Sequence, residues 1–395
     1  MADDDGLDRW AMRLALIDGI GPRARRALLD RFGSSRRVFE ATRQELLGVD
    51  GIGPTLAAKV VEARREPREE SVIASCAASS IRVLMDDHTD YPALLREIPD
   101  PPPLLFAAGE ITEADRRAVA IVGTRQATAY GLRQADRFAR HLVAAGFAVV
   151  SGLARGIDAS AHRGALSAGG RTIAVLGGGL LRLYPPEHAE LARTIRGRGA
   201  VVSEAPPERP PSSGNFPQRN RVISGLSLGT LVIEAGRRSG ALITARHALE
   251  QGREVFAVPG SIENFRSRGC HQLLRDGAKL VETIDDVLDE LDSLARLADG
   301  RPARLARPQT ARTPNSPPPP SPIAKPPAAP SPFPDPEWSE SELAVWNVVG
   351  AEPTLIDDVI AASGLHSAEA LAILGSFELR KAVRRIGGAR VRRAP

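Results

Sequence analysis

The sequence has few cysteines, lysines and aromatic residues, and it has no long apolar run. Its two cysteines, Cys76 and Cys270, are too few for a disulfide framework or a four-ligand zinc site. The acidic start MADDDGLDRW has no apolar signal core, and no run of about 18 uninterrupted apolar residues occurs anywhere. We therefore expect a protein of the reducing cytoplasm that does not span a membrane.

Basic charge, by contrast, is abundant and is carried almost entirely by arginine. The chain has 52 Lys and Arg residues against 48 Asp and Glu residues, which gives a net charge of +4. This excess favours polyanionic partners such as nucleic acids without identifying one. The 395 residues, 43% of them hydrophobic, are enough for two or three domains with cores of their own.

A proline-rich segment divides the chain. Residues 301–336 contain 14 prolines in 36 positions, so this stretch cannot pack a core. We predict an extended, disordered linker over residues 296–336. The predicted domains around it are an all-helical domain over residues 1–70, an α/β core over residues 71–295 and a small C-terminal domain over residues 337–395.

Short apolar runs alternate with helical stretches through the predicted core. Runs of this kind that end in Gly or Ser predict a buried parallel sheet with helices on both faces. Ligands bind such sheets beyond the carboxyl ends of the strands. The predicted strands lie in Ala118–Gly123, Phe147–Gly152, Thr172–Gly179, Ala200–Glu204, Thr230–Gly236, Glu254–Gly260 and Ala278–Glu282.

Small residues and arginines follow several of these strands. GTR at Gly123–Arg125, SGLARGID at Ser151–Asp158 and EAGRRSGALITA at Glu234–Ala245 combine glycine with predicted helix starts. Glycine permits close backbone approach and helix N-termini favour anions, so a phosphate site is plausible here. There is no P-loop and no G-x-G-x-x-G motif, and we expect no cofactor and no metal ion.

The segment FPQRNR, at residues 216–221, offers a second kind of chemistry. Phe216 could stack on a nucleobase while Arg219 and Arg221 hold phosphates. The alternative is that Phe216 anchors a loop and the arginines pair with surface acids, and the residues alone leave both open. His162, in DASAHRGAL, is more readily interpreted as structural than as catalytic, because no nucleophile–base pair is evident.

From about Tyr91 to Glu282, these segments together resemble the DNA-processing protein A (DprA/Smf) family. They occur in the same order and with the same spacing as the motifs of that family. The motifs are VAIVGTR, VVSGLARGIDASAH, TIAVLGGGL, SEAPP, FPQRNRVISGLS, VIEAGRRSGALITARHALEQGREVFAVPG and GCHQLLRDGAKLVE. The resemblance implies a Rossmann-like core that binds single-stranded DNA and forms a homodimer. It also implies loading of the RecA recombinase during natural transformation, with no established catalytic activity.

Residue assignments follow from these motifs. The family's G-S-R is GTR here and keeps Arg125, whereas His271 stands where members commonly carry Asn. The predicted DNA contacts are Gly123, Thr124, Arg125, Ser151, Gly152, Arg155, Phe216, Arg219, Asn220, Arg221, Ser239, Gly240 and Lys279.

Outside the core, DGIGP occurs twice, at Asp18–Pro22 and at Asp50–Pro54. Both copies resemble helix-hairpin-helix (SAM-like) units, in which hairpin glycines let backbone N–H groups approach a DNA phosphate. Gly19, Gly21, Gly51 and Gly53 are therefore predicted auxiliary DNA contacts. The alternative is that the two turns only close a helical bundle.

The C-terminal sequence has the pattern of a winged helix. SESELAVWNVV predicts a helix with Ser339 as N-cap, and RRIGGARVRR predicts a hairpin with a basic wing. The segment TLIDDVIAASGLHSAEALAILGSFELRKAV predicts a helix, a glycine turn and a second helix. Because this presumed helix-turn-helix is acidic or neutral, a protein-contact role is favoured over sequence-specific DNA reading.

Two other functions remain open. One is a nucleotide-processing enzyme of the lysine-decarboxylase-like phosphoribohydrolase type, to whose motif SGALITARHALE is loosely similar. The other is a transcription regulator.

Overall fold

The computed structural model describes residues 7–298, 338–350, 352, 354–380, 382–386 and 390–393. These residues form two compact units, one on each side of the proline-rich segment. The linker was predicted over residues 296–336, but residues 296–298 belong to the helix Asp285–Ala298. The rest of the predicted linker, from residue 299 onward, lies outside the described residues.

The first unit begins with six short helices. Pro22 and Pro54 occupy the first turns of α2 and α5, as predicted, because a proline there loses no helical hydrogen bond. Helix α6 runs across the boundary that the sequence suggested at residues 70/71. The helices are α1 Arg9–Ala15, α2 Pro22–Phe32, α3 Ser35–Glu40, α4 Arg43–Leu47, α5 Pro54–Ala63 and α6 Glu69–Ala78.

The two DGIGP turns pack differently. Gly19 and Gly51 both have left-handed backbone angles, with φ of +96° and +78°. The first turn lies against α5, whose Lys59 ammonium donates to the Asp18 carbonyl at 2.7 Å. The second turn is open, since added Cβ atoms at Gly51 and Gly53 would meet nothing within 4 Å. Lys59 thus joins the two hairpins.

A nine-stranded mixed sheet forms the centre of the first unit, in the order β1-β2-β6-β5-β4-β3-β7-β8-β9. All seven predicted strands are confirmed and are parallel to one another. Two further strands were not predicted: β2, which pairs antiparallel with β6, and β1, which pairs antiparallel with β2 at the edge of the sheet. The strands are β1 Ile81–Met85, β2 Leu104–Gly109, β3 Ala118–Val122, β4 Ala148–Ser151, β5 Thr172–Val175, β6 Ala200–Ser203, β7 Gly229–Val232, β8 Glu254–Ala257 and β9 Lys279–Leu280.

Helices cover both faces of this sheet, and each face carries an apolar core. The last helix, α14, buries Val287 and Leu291 against its own sheet. The helices are α7 Ala93–Arg96, α8 Ala129–Ala144, α9 Ile157–Ser167, α10 Ala189–Arg196, α11 Asn215–Gly225, α12 Gly240–Glu250, α13 Arg268–Arg275 and α14 Asp285–Ala298.

The second unit is a winged helix, as predicted. Ser339 and Glu342 form the expected capping box at the start of α15. Trp338, Trp346 and Phe377 form its aromatic core, with centroids 4.6–5.8 Å apart. Its elements are α15 Glu340–Val348, β10 Thr354–Leu355, α16 Ile356–Ser363, α17 Ser367–Leu379, β11 Val383–Ile386 and β12 Arg390–Arg393.

The predicted basic wing is only partly free. Arg384 and Arg390 are exposed, whereas Arg393 turns inward and donates to the carbonyls of Trp346 and Val349, each at 2.7 Å. The Gly-Gly turn of this hairpin lies outside the described residues.

Within the described ranges, none of the helices combines the length and apolar character needed to cross a bilayer. The same residues contain no group of three His, Cys, Asp or Glu side chains that could hold a metal ion.

Candidate nucleic-acid interface

A cleft of about 1030 Å³ lies beyond the carboxyl ends of the central strands. Strands β3 to β6 continue to one side of β3, and the chain then crosses to β7 on the other side. This reversal of strand order opens a crevice in the layer of helices and loops above the sheet, which is where such folds bind ligands. The cleft is lined by the segment after β3, the first turns of α11 and α12, and the loop after β8.

Phe216 lies in the first turn of α11 and presents its ring to this cleft. The ring rests on Gly177, where an added Cβ would lie 2.9 Å from the ring, so only glycine fits beneath it. Tyr184 flanks the ring at a centroid distance of 5.9 Å. The Arg125 guanidinium lies over it, with Cζ 5.2 Å from the centroid. Phe216 is half-buried and supported from below, which leaves a ring surface toward the cleft.

Arg219, which lies deeper on the same helix, forms part of the floor. It is only 7% exposed and donates to the carbonyls of Gly152 and Val175, at the ends of β4 and β5. A Cβ at Gly152 would come within 2.6 Å of this guanidinium, so glycine makes the approach possible. Burial lowers the pKa of Arg219 to about 10, while Asp158 opposes that shift. The structure thus gives Arg219 a clamping role, and a phosphate contact for it stays a prediction.

The next two residues tie α11 to other elements. The Asn220 amide donates to the Gly240 carbonyl at 3.1 Å, which links α11 to the start of α12. The Arg221 guanidinium pairs with Glu204 and, at 3.3 Å, with Asp100. Arg221 does not line the cleft. Of the predicted FPQRNR contacts, the structure brings Phe216, Arg219 and Asn220 to the cleft and directs Arg221 away from it.

The turn after β3 lines the cleft mainly with a side chain and less with its backbone. The Thr124 N–H donates to the Glu234 carbonyl at 2.7 Å and is therefore not available to a phosphate. Gly123 packs against Ile157, whose Cγ1 lies 2.5 Å from the position of an added Cβ. The Arg125 side chain is exposed and faces the cleft. The Arg125 side chain is thus the charged group that this turn presents to the cleft, and its phosphate contact stays a prediction.

The other predicted contacts fall into two groups. Ser239 caps α12, and with Gly240 it lines the cleft at that helix N-terminus. Ser151 is buried and donates to the Ile121 carbonyl at 2.6 Å. Arg155 pairs with Glu187, and Lys279 pairs with Glu290 at 2.9 Å on the edge strand β9. Ser151, Arg155 and Lys279 do not line the cleft, so DNA contact for them stays a prediction.

Several arginines on the far side of the cleft were not among the predicted DNA contacts. Within the described part of the chain they make no salt bridge. Arg237 and Arg238 lie in the strand-end segment EAGRRSGALITA and Arg266 adjoins Phe265, whereas Arg268 has no such signal in the sequence. These arginines are Arg237, Arg238, Arg266 and Arg268.

The cleft also contains one buried carboxylate, Asp158, at the start of α9. It accepts a hydrogen bond from the Ala154 N–H at 3.3 Å. Burial raises the pKa of Asp158, and the nearby Arg219 and Arg125 guanidinium groups oppose that shift. Asp158 thus balances the buried charge of Arg219, while the exposed arginines remain available to an anion.

Neither of the two histidines that the sequence drew attention to, His162 and His271, lines the cleft. His162 is fully buried, and its Nδ1–H donates to the Thr172 hydroxyl at 2.7 Å, since that hydroxyl donates to the Val149 carbonyl. His271 Nε2 donates to the Gly260 carbonyl at 3.0 Å and holds a loop. The segment GLSLG, at residues 225–229, matches the nucleophile-elbow pattern G-x-S-x-G, which the sequence analysis overlooked. Its serine precedes a strand and is fully buried, unlike the exposed serine of an elbow.

Comparison with known proteins identifies the family of this chain. A sequence profile described as DNA recombination-mediator protein A matches residues 82–292. Profiles for a SAM-like helix-hairpin-helix tandem and for the DprA winged-helix domain match residues 12–66 and 324–389.

Individual relatives agree with these profiles. Protein Smf of Synechocystis is 39% identical over 269 residues, which are 67% of this chain and 68% of that protein. DNA processing protein DprA of Bacillus subtilis is 42% identical over 225 residues, 57% of this chain and 76% of that protein. The X-ray structure of DNA processing protein A from Streptococcus pneumoniae superposes with a TM-score of 0.62 at 34% identity, covering 72% of this chain and 98% of that one. The first profile spans more than half of the chain, and this protein therefore belongs to the DNA recombination-mediator protein A (DprA/Smf) family.

Proposed function

We propose that this protein binds single-stranded DNA in the cleft above its central sheet and acts as a non-enzymatic mediator of recombination. The observation that carries the proposal is the half-exposed ring of Phe216, which lies in the cleft beneath the Arg125 guanidinium. The far side of the cleft is lined by arginines that have no ion-pair partner among the described residues. An aromatic face with adjacent positive charge suits a base and its phosphates without reading sequence.

The placement of Phe216 favours a single strand over a duplex. In a duplex each base face is covered by its neighbours, and none can reach a ring at the bottom of a cleft. A single strand can turn one base out, and stacking on an aromatic ring contributes about 1–3 kcal/mol. The surrounding arginines add attraction that weakens as salt rises.

The family role supports finer proposals. Membership in a recombination-mediator family supports loading of RecA onto the bound strand, in the cytoplasm, during natural transformation. Homodimerisation through the core is supported by the edge strand β9, whose Leu280 is 46% exposed. An uncovered edge strand with an exposed apolar residue invites pairing with a second copy.

The test is a titration of the full chain with oligothymidine and with a duplex of equal length, at two salt concentrations. We expect tighter binding of the single strand at both concentrations. Equal affinity for the two DNA forms would contradict the proposal. Incubation with nucleoside monophosphates tests the enzyme alternative, because release of free base would support a phosphoribohydrolase instead.

A further inference from the structure

The loop that follows β8, residues 259–268, presents a second aromatic residue to the same cleft. Phe265 is 58% exposed, which is unusual for a phenylalanine. The Arg266 guanidinium lies over its ring, with Cζ 4.4 Å from the centroid. Phe265 and Arg266 thus repeat the pairing of ring and guanidinium seen at Phe216 and Arg125.

Hydrogen bonds hold this loop in place at several points. Asn264 accepts from the Arg266 N–H at 3.0 Å and donates to the buried Glu234 carboxylate at 3.4 Å. His271 donates to the Gly260 carbonyl, and Tyr130 donates to the Pro259 carbonyl at 3.2 Å. The exposed ring therefore projects from an anchored turn, so little ordering entropy is lost when a partner covers it.

Strand order separates the two rings along the cleft. Phe216 rests on Gly177, just after β5, whereas the Phe265 carbonyl lies beside Gly236, just after β7 and next to β8. Three or four strand spacings of about 4.8 Å put these points roughly 14–19 Å apart. At about 3.4 Å per stacked nucleotide, that span corresponds to roughly four to six nucleotides.

The exposed charged side chains that line the cleft between the rings are arginines, and the one carboxylate of the lining, Asp158, is buried. Arg237 and Arg238 follow β7 there, and the first turn of α12 begins immediately after them. Neither arginine has a salt-bridge partner among the described residues. Phosphates that link two stacked bases would pass over this positive surface.

We propose that Phe265 and Arg266 form a second base-stacking platform, which binds the same single strand several nucleotides away from Phe216. This inference rests on the proposed function, since it assigns a further position to the strand in that cleft. It predicts that binding requires a minimum strand length, because only a strand that spans both rings gains both stacking interactions.

The test measures fluorescence anisotropy of labelled oligothymidines of 4, 8 and 16 nucleotides with the full chain. Phe265→Ala should weaken binding of the 16-mer roughly ten- to hundred-fold and that of the 4-mer by less than about threefold. Phe265→Leu should behave like Phe265→Ala because it lacks a ring, whereas Phe265→Trp should retain the affinity of the wild type. The indole fluorescence that Phe265→Trp adds should be quenched when the 16-mer binds.

Ile262→Ala is the matched control. Ile262 lies on the same loop and is 83% exposed, but it does not line the cleft, so its loss should leave binding unchanged. If Phe265→Ala binds the 16-mer as tightly as Ile262→Ala while Phe216→Ala is weakened, the second platform is wrong and the proposed function stands. If the wild-type chain binds no single-stranded DNA, both the second platform and the proposed function are wrong. If Phe265→Ala instead dissociates a dimer in sedimentation, Phe265 contacts a second copy and the platform is overturned.

Discussion

The Arg125 guanidinium lies over the ring of Phe216, with its Cζ 5.2 Å from the ring centroid. The two residues come from different elements, the turn after β3 and the first turn of α11, which the fold brings together above the sheet. A cation placed on an aromatic face is weakly attracted to it, and here it also fixes the ring's orientation. This pair defines one end of the cleft and suggests how a base and a phosphate could bind side by side.

Phe216→Ala should weaken single-strand binding roughly ten- to hundred-fold, because one stacking interaction is lost. Weak duplex binding, which depends on charge alone, should change little. Anisotropy titrations with both DNA forms check this expectation. An unchanged single-strand affinity in a well-folded Phe216→Ala protein would show that Phe216 only anchors a loop.

Arg219→Ala should destabilise the fold rather than act on DNA directly. The substitution removes the hydrogen bonds to the Gly152 and Val175 carbonyls and the buried cation near the Asp158 carboxylate. Each hydrogen bond from a charged group contributes about 1.5–3 kcal/mol to the free energy of unfolding. Arg125→Ala is the control, since that side chain is exposed and its loss should leave the melting temperature nearly unchanged. A thermal melt that shows equal stability for the two variants would contradict the clamp.

Arg238→Ala should change the salt dependence of binding. Each phosphate contact on a single strand contributes about 0.7 to the slope of log affinity against log salt. Removal of one contact should therefore flatten the slope by about that amount, for every sequence alike. Arg221→Ala, which removes an ion-paired arginine outside the cleft, should leave the slope of the remaining folded protein unaltered. Equal slopes for wild type and Arg238→Ala would show that Arg238 does not contact a DNA phosphate.

His162 should make stability depend on pH. Burial lowers the pKa of His162 to about 3, and nearby His188 and Arg219 act in the same direction. Below pH 6.5 the unfolded chain binds a proton that the folded chain does not, so the free energy of unfolding falls as pH drops from about 6.5 toward 3. Between about pH 7 and pH 5 the loss from this residue is about 2 kcal/mol.

Urea unfolding at about pH 7 and pH 5 measures this loss. His162→Asn keeps a donor for the Thr172 hydroxyl but does not titrate, so its pH-dependent loss should be smaller by about 2 kcal/mol. The same loss in both proteins would show that His162 does not carry the effect.

Continuous apolar runs such as AVAIVG and TIAVLGGG allowed the parallel strands to be predicted, because a strand buried on both faces leaves no polar alternation. Strands β1 and β2 could not be predicted by this reasoning. Ile81–Met85 includes an exposed arginine, and Leu104–Gly109 directly follows three prolines, so neither stood out from the surrounding loops.

At the site, residue type predicted the location better than the role. Arg125 was predicted from its place at a strand end and Phe216 from its place beside arginines, and both line the cleft. Arg221 is also an arginine of the FPQRNR segment, yet Glu204 and Asp100 bind its guanidinium. Both acids come from other segments of the chain, so only the folded protein reveals the pairing. Phe265 was not predicted because residues 261–268 lie between two of the motifs considered.

The proposed function requires that a single strand lies in the cleft beside Phe216. Photochemical cross-linking of oligothymidine to the full chain, followed by mass spectrometry of the linked peptides, locates the bound strand. We expect cross-links in peptides that contain Phe216, and we expect Phe216→Ala to lose them while cross-links elsewhere persist. Cross-links confined to residues 7–66 or 338–393, with the Phe216 peptide unmodified, would contradict it.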